Sequence, residues 1–309
     1  MRFLAALSVV VLISGQNVTQ KFVATTRTVR LEIAADAATG HVMGLGAADF
    51  EVTDNGAAQS VRVEEIIDAP LDIDVVLQPP SAQAFTSDDQ ARATVPALRS
   101  FLSLLEERDR LGIIDAGMPP VRTREMSSGA VREIAVRQSS YSAVFDAIAL
   151  GLLAPPSERR RVIVAFVNGA DFRSVVPVEA LARLSGELGP ALVAVSAPAV
   201  YSDTVRLKSD LPQGGTESRS TDVAQAVFPS MLMFLARRTG GTIVRLGDAP
   251  ADAQMRTLVA SLRVGYLITY EAPPESGWHE VRVKARRRGI NLRCRDGYFN
   301  DANRPSPAA

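Results

Sequence analysis

The chain has 309 residues, with 34 Lys and Arg balanced by 34 Asp and Glu, and it carries two His, one Cys and one Trp. That length favours about two domains with a sizeable core. Zero net charge argues against a chain built to hold nucleic acid, a single Cys excludes an internal disulfide, and two His with one Cys cannot make an ordinary zinc set from N and S ligands.

In chain order, Met1 and Arg2 precede the apolar run Phe3 to Gly15, which is followed at once by Gln16 and Asn17. The run is too short to cross a bilayer as a helix, and it fits the apolar part of a secretory signal over 1–15. Export to the periplasm or the extracellular space is therefore expected, with no membrane span after processing. A short buried strand or an uncleaved anchor is the alternative. Val29, Leu31 and Ile33 then alternate with polar residues, as do Phe50 with Val52 and Val61 with Val63. Asp54-Asn55-Gly56 between two such runs predicts a hairpin turn, so 22–67 reads as a β segment.

From Leu71 the pattern becomes apolar strand, amphipathic helix, apolar strand, the mark of a mainly parallel sheet covered on both faces. Strands are predicted at 73–77, 111–114, 121–126, 162–167, 192–195 and 242–246. Helices are predicted after a Ser87/Gln90 capping box, over 142–153 and 178–188, before Gly240-Gly241, and up to about Leu262. Pro96 predicts a kink or a late start in the first helix. The polar stretch Tyr201 to Thr221 reads as a long loop. After Tyr266 alternation returns in Val281, Val283 and Ala285 and again in Ile290, Leu292 and Cys294, which predicts a second hairpin. Cys294 falls on the apolar phase and reads as a small buried hydrophobe. The tail 301–309 is read as disordered.

Gly44-Leu45-Gly46-Ala47-Ala48-Asp49-Phe50-Glu51-Val52 with Asp54-Asn55-Gly56, Pro70-Leu71, Leu235 to Gly241, and Arg293-Cys294-Arg295-Asp296-Gly297-Tyr298-Phe299 occur in that order. Together they resemble exported bacterial proteins with a von Willebrand factor A-like domain, of the Acidobacteria-type group. The resemblance implies a doubly wound α/β domain over 70–265, with a β segment at 266–300 packing against 22–67. Integrin-type adhesion modules of this fold bind a divalent cation at the carboxyl ends of the strands, through Asp-x-Ser-x-Ser, a Thr and a second Asp. In this chain those positions fall on Gln78, Pro80, Ala82, Ser142 and Asn168. An amide carries no charge to offset the dehydration of Mg²⁺, so the resemblance implies a degenerate metal site and no cofactor. Ser81 and Asp171 are near enough in sequence to form a displaced site, which stays open as the other arrangement.

Residue by residue, Ser142 reads as an N-cap of its helix and Asp146 as a group with a local hydrogen bond or a cap-related role. No phosphate-binding glycine motif occurs. His41 and His279 lie in the β segments, where His279 beside Trp278 reads as a surface or packing residue. Arg159-Arg160-Arg161 and Arg286-Arg287-Arg288 read as a solvated strand start and a hairpin tip, with contact to an acidic surface as the alternative. The expectation is a non-catalytic protein-protein interaction module. Its binding loops would hold Gln78, Ser81, Tyr141, Ser142, Asn168, Asp171 and Phe172. Tyr141 and Phe172 serve equally well as interface aromatics or as packing under the 201–221 loop. A structural part of a cell-envelope assembly and a hydrolytic enzyme are the alternatives.

Overall fold

The computed structural model describes residues 27–79, 94–127, 139, 141–155, 157, 159–169, 171, 173–197 and 228–300. The expectations for the leader at 1–15, the Ser87/Gln90 capping box, Ser81, Phe172, the 201–221 loop and the 301–309 tail lie outside them.

The strands β1 (Thr28–Ala37), β2 (Gly40–His41), β3 (Phe50–Asp54), β4 (Ala57–Ala58) and β5 (Arg62–Ile66) precede the α/β part of the chain. That part runs through β6 (Leu71–Leu77), α1 (Thr94–Ser103), β7 (Arg110–Asp115), β8 (Val121–Ser127), α2 (Val144–Leu152), β9 (Arg160–Val167), α3 (Val178–Leu188) and β10 (Ala191–Ser196). Helical residues 228–238, here α4, β11 (Thr242–Arg245) and α5 (Ala251–Arg263) complete it. The strands β12 (Gly265–Glu271), β13 (Gly277–Ala285), β14 (Asn291–Arg293) and β15 (Gly297–Asn300) follow.

The central sheet has six strands in the order β11-β10-β9-β6-β7-β8. All pair in parallel except β8, which runs antiparallel to β7 at the edge. Counted from β6, this is the doubly wound order in which the winding direction reverses between the first and fourth strands. The fold class is thus α/β with a mainly parallel sheet. Both faces of β9 are covered: Val162, Val164 and Phe166 enter one core with α1 and α5, while Ile163, Ala165 and Val167 enter another with α2, α3 and α4. That two-sided burial is why its sequence is a continuous apolar run and not an alternating one. Pro96 falls in the first turn of α1, where a missing N–H costs nothing.

The remaining strands form two antiparallel sheets, β14-β1-β12-β5 and β15-β13-β3-β4. Alternate residues face a common interior: Val29 opposes Tyr270, Leu31 opposes Ile268 and Ile33 opposes Tyr266 across β1 and β12. Phe50, Val52, Val281 and Tyr298 close that core from the other sheet. Asn55 and Gly56 have φ of 47° and 84°, the left-handed pair that a tight two-residue hairpin between β3 and β4 requires.

One pairing differs from expectation. The strands 281–285 and 290–294 do not form a hairpin; β13 pairs with β3 and β15, whereas β14 pairs with β1. The Arg286 to Gly289 segment carries the chain from one sheet to the other. Alternation identifies a half-buried strand but not its neighbour, and the two-sheet core decides the neighbour here. Arg287 bonds Asp49 by its Nε at 2.8 Å.

The two parts meet through specific contacts. Arg160 donates to Glu32 of β1 at 2.8 Å and to the Leu262 and Val264 carbonyls and so staples the parts, while Arg159 and Arg161 donate to the Arg108 and Gly151 carbonyls, so the cluster is not simply a solvated strand start. The Arg238 guanidinium lies 3.3 Å from the Trp278 ring centroid, and Arg183 stacks over Phe299. Among the described residues no helix is long and apolar enough to cross a membrane.

Candidate functional site

Gln78 follows β6 and Asn168 follows β9, the two strands between which the winding reverses, so both sit at the carboxyl end where open α/β sheets form a crevice. Ser142 reaches the same place just before α2. Its backbone bridges Gly117 after β7, while Ala143 N donates to Ala116 O at 2.7 Å.

The three side chains are joined directly. Gln78 Nε2 donates to Ser142 Oγ at 2.9 Å, and Gln78 Oε1 accepts from the backbone N–H groups of Asn168 at 2.8 Å and Gly169 at 3.0 Å. Two N–H donors facing one terminal atom fix it as the amide oxygen. Asn168 Nδ2 donates to the Gln78 carbonyl, and Asn168 Oδ1 accepts from Thr94 Oγ1 at 2.8 Å. Gln78, Ser142 and Asn168 are 5%, 0% and 8% exposed, so the network lies beneath the surface.

Two expectations change here. Ser142 is not an N-cap: α2 begins after Ala143 without a side-chain cap, and the Ser142 hydroxyl faces Gln78. The capping duty falls to Asp171, whose Oδ2 accepts from Phe145 N at 2.8 Å and so places a carboxylate at the positive end of α2. Its oxygens also accept from Arg173 N, Ser174 N and Ser174 Oγ. Asp146 is not bonded locally; it accepts from the Val175 and Val176 amides, while its own N–H donates to Ser174 Oγ. Asp171 and residues 173–176 are thereby clasped to the start of α2 by reciprocal carboxylate bonds.

Above the buried network, Tyr141 is half-buried with the Arg173 guanidinium 4.3 Å from its ring centroid, and Met118 and Val175 are 50% and 77% exposed. Sequence reasoning missed Thr94 and the Asp146 clasp. It also missed a second buried cluster, in the sandwich. Asp54 Oδ1 lies 2.7 Å from His279 Nδ1, and Asp54 Oδ2 accepts from Tyr270 at 2.9 Å and Tyr298 at 2.7 Å. His279 Nε2 lies 2.9 Å from the Glu275 carbonyl, and its ring stacks on Tyr298. Burial, the largest cause, and the shared carboxylate push both tyrosines well above the usual phenol range. A signal was present: Asp54 continues the Phe50, Val52 phase, and His279 continues the phase of Val281. Among the described residues no three His, Cys, Asp or Glu side chains gather in a way that could hold a metal ion.

No family model matches the chain, and no curated protein matches it. Several solved structures are similar. An aerotolerance-related membrane protein from Bacteroides fragilis NCTC 9343 is 14% identical over 62% of this chain and 98% of that one, with a TM-score of 0.43. A von Willebrand factor type A protein from Catenulispora acidiphila is 11% identical over 88% and 73%, at 0.41. The ArnB paralog VWA2 from Sulfolobus acidocaldarius is 7% identical over 87% and 75%, at 0.42. The likeness is one of fold, and the strand order of the central sheet is what assigns the class.

Proposed function

We propose that the chain is an exported, non-catalytic interaction module that engages a protein partner at the carboxyl end of its central sheet without a metal ion. The observation that carries this reading is the Gln78 carboxamide, whose two ends are already bonded to Ser142 and to the Asn168 and Gly169 amides. A hard cation needs about six oxygens and gains most from carboxylates. The described donors do not fit one, since Gln78 turns an N–H₂ toward Ser142 and both Asp171 oxygens already serve N–H and O–H donors. Metal binding would have to break these bonds and would gain no charge from Gln78 or Asn168.

With the polar network buried, a partner would meet Tyr141 with its stacked Arg173, Met118 and Val175. An aromatic, an arginine and exposed apolar groups around a rigid centre suit an interface. A non-catalytic role is supported by where the histidines lie: His279 is in the sandwich core, and His41, at its surface, bonds Asp36. Export rests on the Phe3 to Gly15 run, and N-terminal sequencing of the mature protein checks it. The functional test is affinity capture from the native cell envelope with the full chain, with and without chelator, alongside a Tyr141→Ala/Arg173→Ala variant. Capture should survive chelation and weaken in the variant. Capture that requires the metal, or that ignores the variant in a folded protein, contradicts the proposal.

A further inference from the structure

At the opposite end of the central sheet, a cleft of about 690 Å³ opens between the outward face of β1 and the starts of β9 and β10. Among the described residues its lining carries Arg30, Arg159, Arg160, Arg161, Arg293 and Arg295 against one acidic residue, Glu32. We propose that this cleft binds a small molecule bearing a phosphate or similar multiply charged oxyanion.

The charges are only partly answered. Glu32 pairs with Arg160 at 2.8 Å, Asp36 with Arg293 at 3.3 Å, and Asp74 stands 3.8 Å from Arg161. Arg30, Arg159 and Arg295 have no carboxylate within ion-pair distance among the described residues, and Asp74 lies closer to Arg122, at 3.0 Å, than to Arg161, so the described lining keeps an excess of positive charge. Arg159 donates by its Nε to the Arg108 carbonyl at 3.2 Å. Arg295 is the most telling. Its Nη1 makes a long 3.4 Å bond to the Gly186 carbonyl, while its Nη2 is buried with no hydrogen-bond partner. Burial pushes its guanidinium below the usual arginine range, the cost that an incoming anion would offset.

The carboxyl-terminal ends of α3 and α4 also reach this cleft, through Gly189 and Thr239, and their carbonyls oppose an anion. Each helix end amounts to roughly half a negative charge, so the pair subtracts about one from the excess. A positive excess remains, which suits a phosphate monoester dianion. Guanidinium forks suit its oxygens, and the volume falls within the roughly 300–1,000 Å³ of small-molecule sites. Ile66, Leu262 and Leu267 add an apolar wall, so a phosphate on a carbon skeleton fits better than a bare ion. The cleft lies at the amino ends of the strands, away from the partner-binding loops, and the two proposals stand independently.

Calorimetric titration of the full chain at fixed ionic strength tests this, with phenyl phosphate, inorganic phosphate and uncharged phenol as probes. Phenyl phosphate should bind saturably and more tightly than phosphate, and phenol should not bind. Arg30→Ala/Arg159→Ala, an exposed and a half-buried position, should weaken binding about tenfold or more, the loss expected for charge-assisted contacts. Arg295→Met should abolish binding, and Arg282→Ala, outside the cleft, should leave it unchanged. If Arg295→Met does not fold, the double variant decides. Absence of saturable binding, or equal binding by the double variant and Arg282→Ala, overturns the proposal.

Discussion

Gln78 and Ser142, 64 residues apart, are joined by a 2.9 Å hydrogen bond from Nε2 to Oγ that ties the end of β6 to the start of α2. The other end of the same amide holds the turn after β9 through two N–H groups. Three loops from separate strands are thus fixed by one neutral side chain, buried where a charged one would need a counter-ion.

Gln78→Ala removes the shared partner of the Asn168 N–H, the Gly169 N–H and the Ser142 hydroxyl. At about 1–3 kcal/mol for each buried group left unsatisfied, less what water recovers, the expected loss is about 2–4 kcal/mol. Ser142→Ala removes the hydroxyl that accepts from Gln78 Nε2 and should cost about 1 kcal/mol. Urea denaturation of both variants checks the order. Equal stability in Gln78→Ala and the parent would mean that the network does not hold the loops.

How far the sequence carried this picture depends on what decides each feature. Val162 to Val167 was legible because burial on both faces leaves no polar residue, and Asn55-Gly56 because only such residues take two left-handed conformations in succession. The meeting of Gln78, Ser142 and Asn168 came from the resemblance, not from spacing. What Ser142 does there was not legible, since a Ser ahead of a helix normally caps it and nothing local reveals a glutamine 64 residues away. The β13 and β14 partners were missed for a similar reason: a short polar link reads the same whether it reverses a strand or crosses between sheets. Asp54 was taken as a turn residue because it precedes Asn-Gly, although its phase marks it as buried.

Asp54 is the common acceptor for His279, Tyr270 and Tyr298 and is 1% exposed. Asp54→Ala removes the shared carboxylate partner of three buried side chains and should cost about 3–5 kcal/mol. Asn, which keeps one acceptor oxygen, should cost less. Thermal melts of both variants, followed by tyrosine near-UV dichroism, report the loss. A melt unchanged in Asp54→Ala would remove this cluster from the account of the sandwich.

Asp109 accepts from Arg263 through both oxygens, at 3.1 and 2.6 Å, and from the Leu71 N–H, linking the end of α5 to the start of β6. Burial raises its pKa, but the Arg263 guanidinium and the Glu106 and Leu71 amides outweigh it, leaving the carboxyl net below its ordinary 3.8. A lowered folded value means stability that is present above the unfolded value and lost as pH falls through the folded one. Denaturation midpoints should therefore drop as the solution is acidified below pH 3.8, and Asp109→Asn should flatten that part of the profile. At neutral pH the variant should lose about 3–5 kcal/mol, the usual cost of breaking one side of a buried pair. A profile as steep as the parent's would assign the acid sensitivity to other carboxylates.

Burial pushes the Cys294 thiol up to about 11. Because the thiolate is the reactive form, alkylation at neutral pH should run roughly a hundredfold slower than for a free cysteine. Labelling should accelerate only as denaturant unfolds the sandwich. Rapid labelling of the native protein would mean that Cys294 is a reactive thiol.

The proposal that the closed amide and hydroxyl network of Gln78, Ser142 and Asn168 works without a cation is tested most directly by the melting temperature of the full chain in millimolar Mg²⁺ and in chelator. A ligand selective for the native state at a hundredfold excess over its Kd would add about 2.7 kcal/mol, well above detection. The account predicts the same melting temperature in both solutions. A midpoint that climbs with Mg²⁺, falls with chelator and loses that response in Ser142→Ala would contradict it.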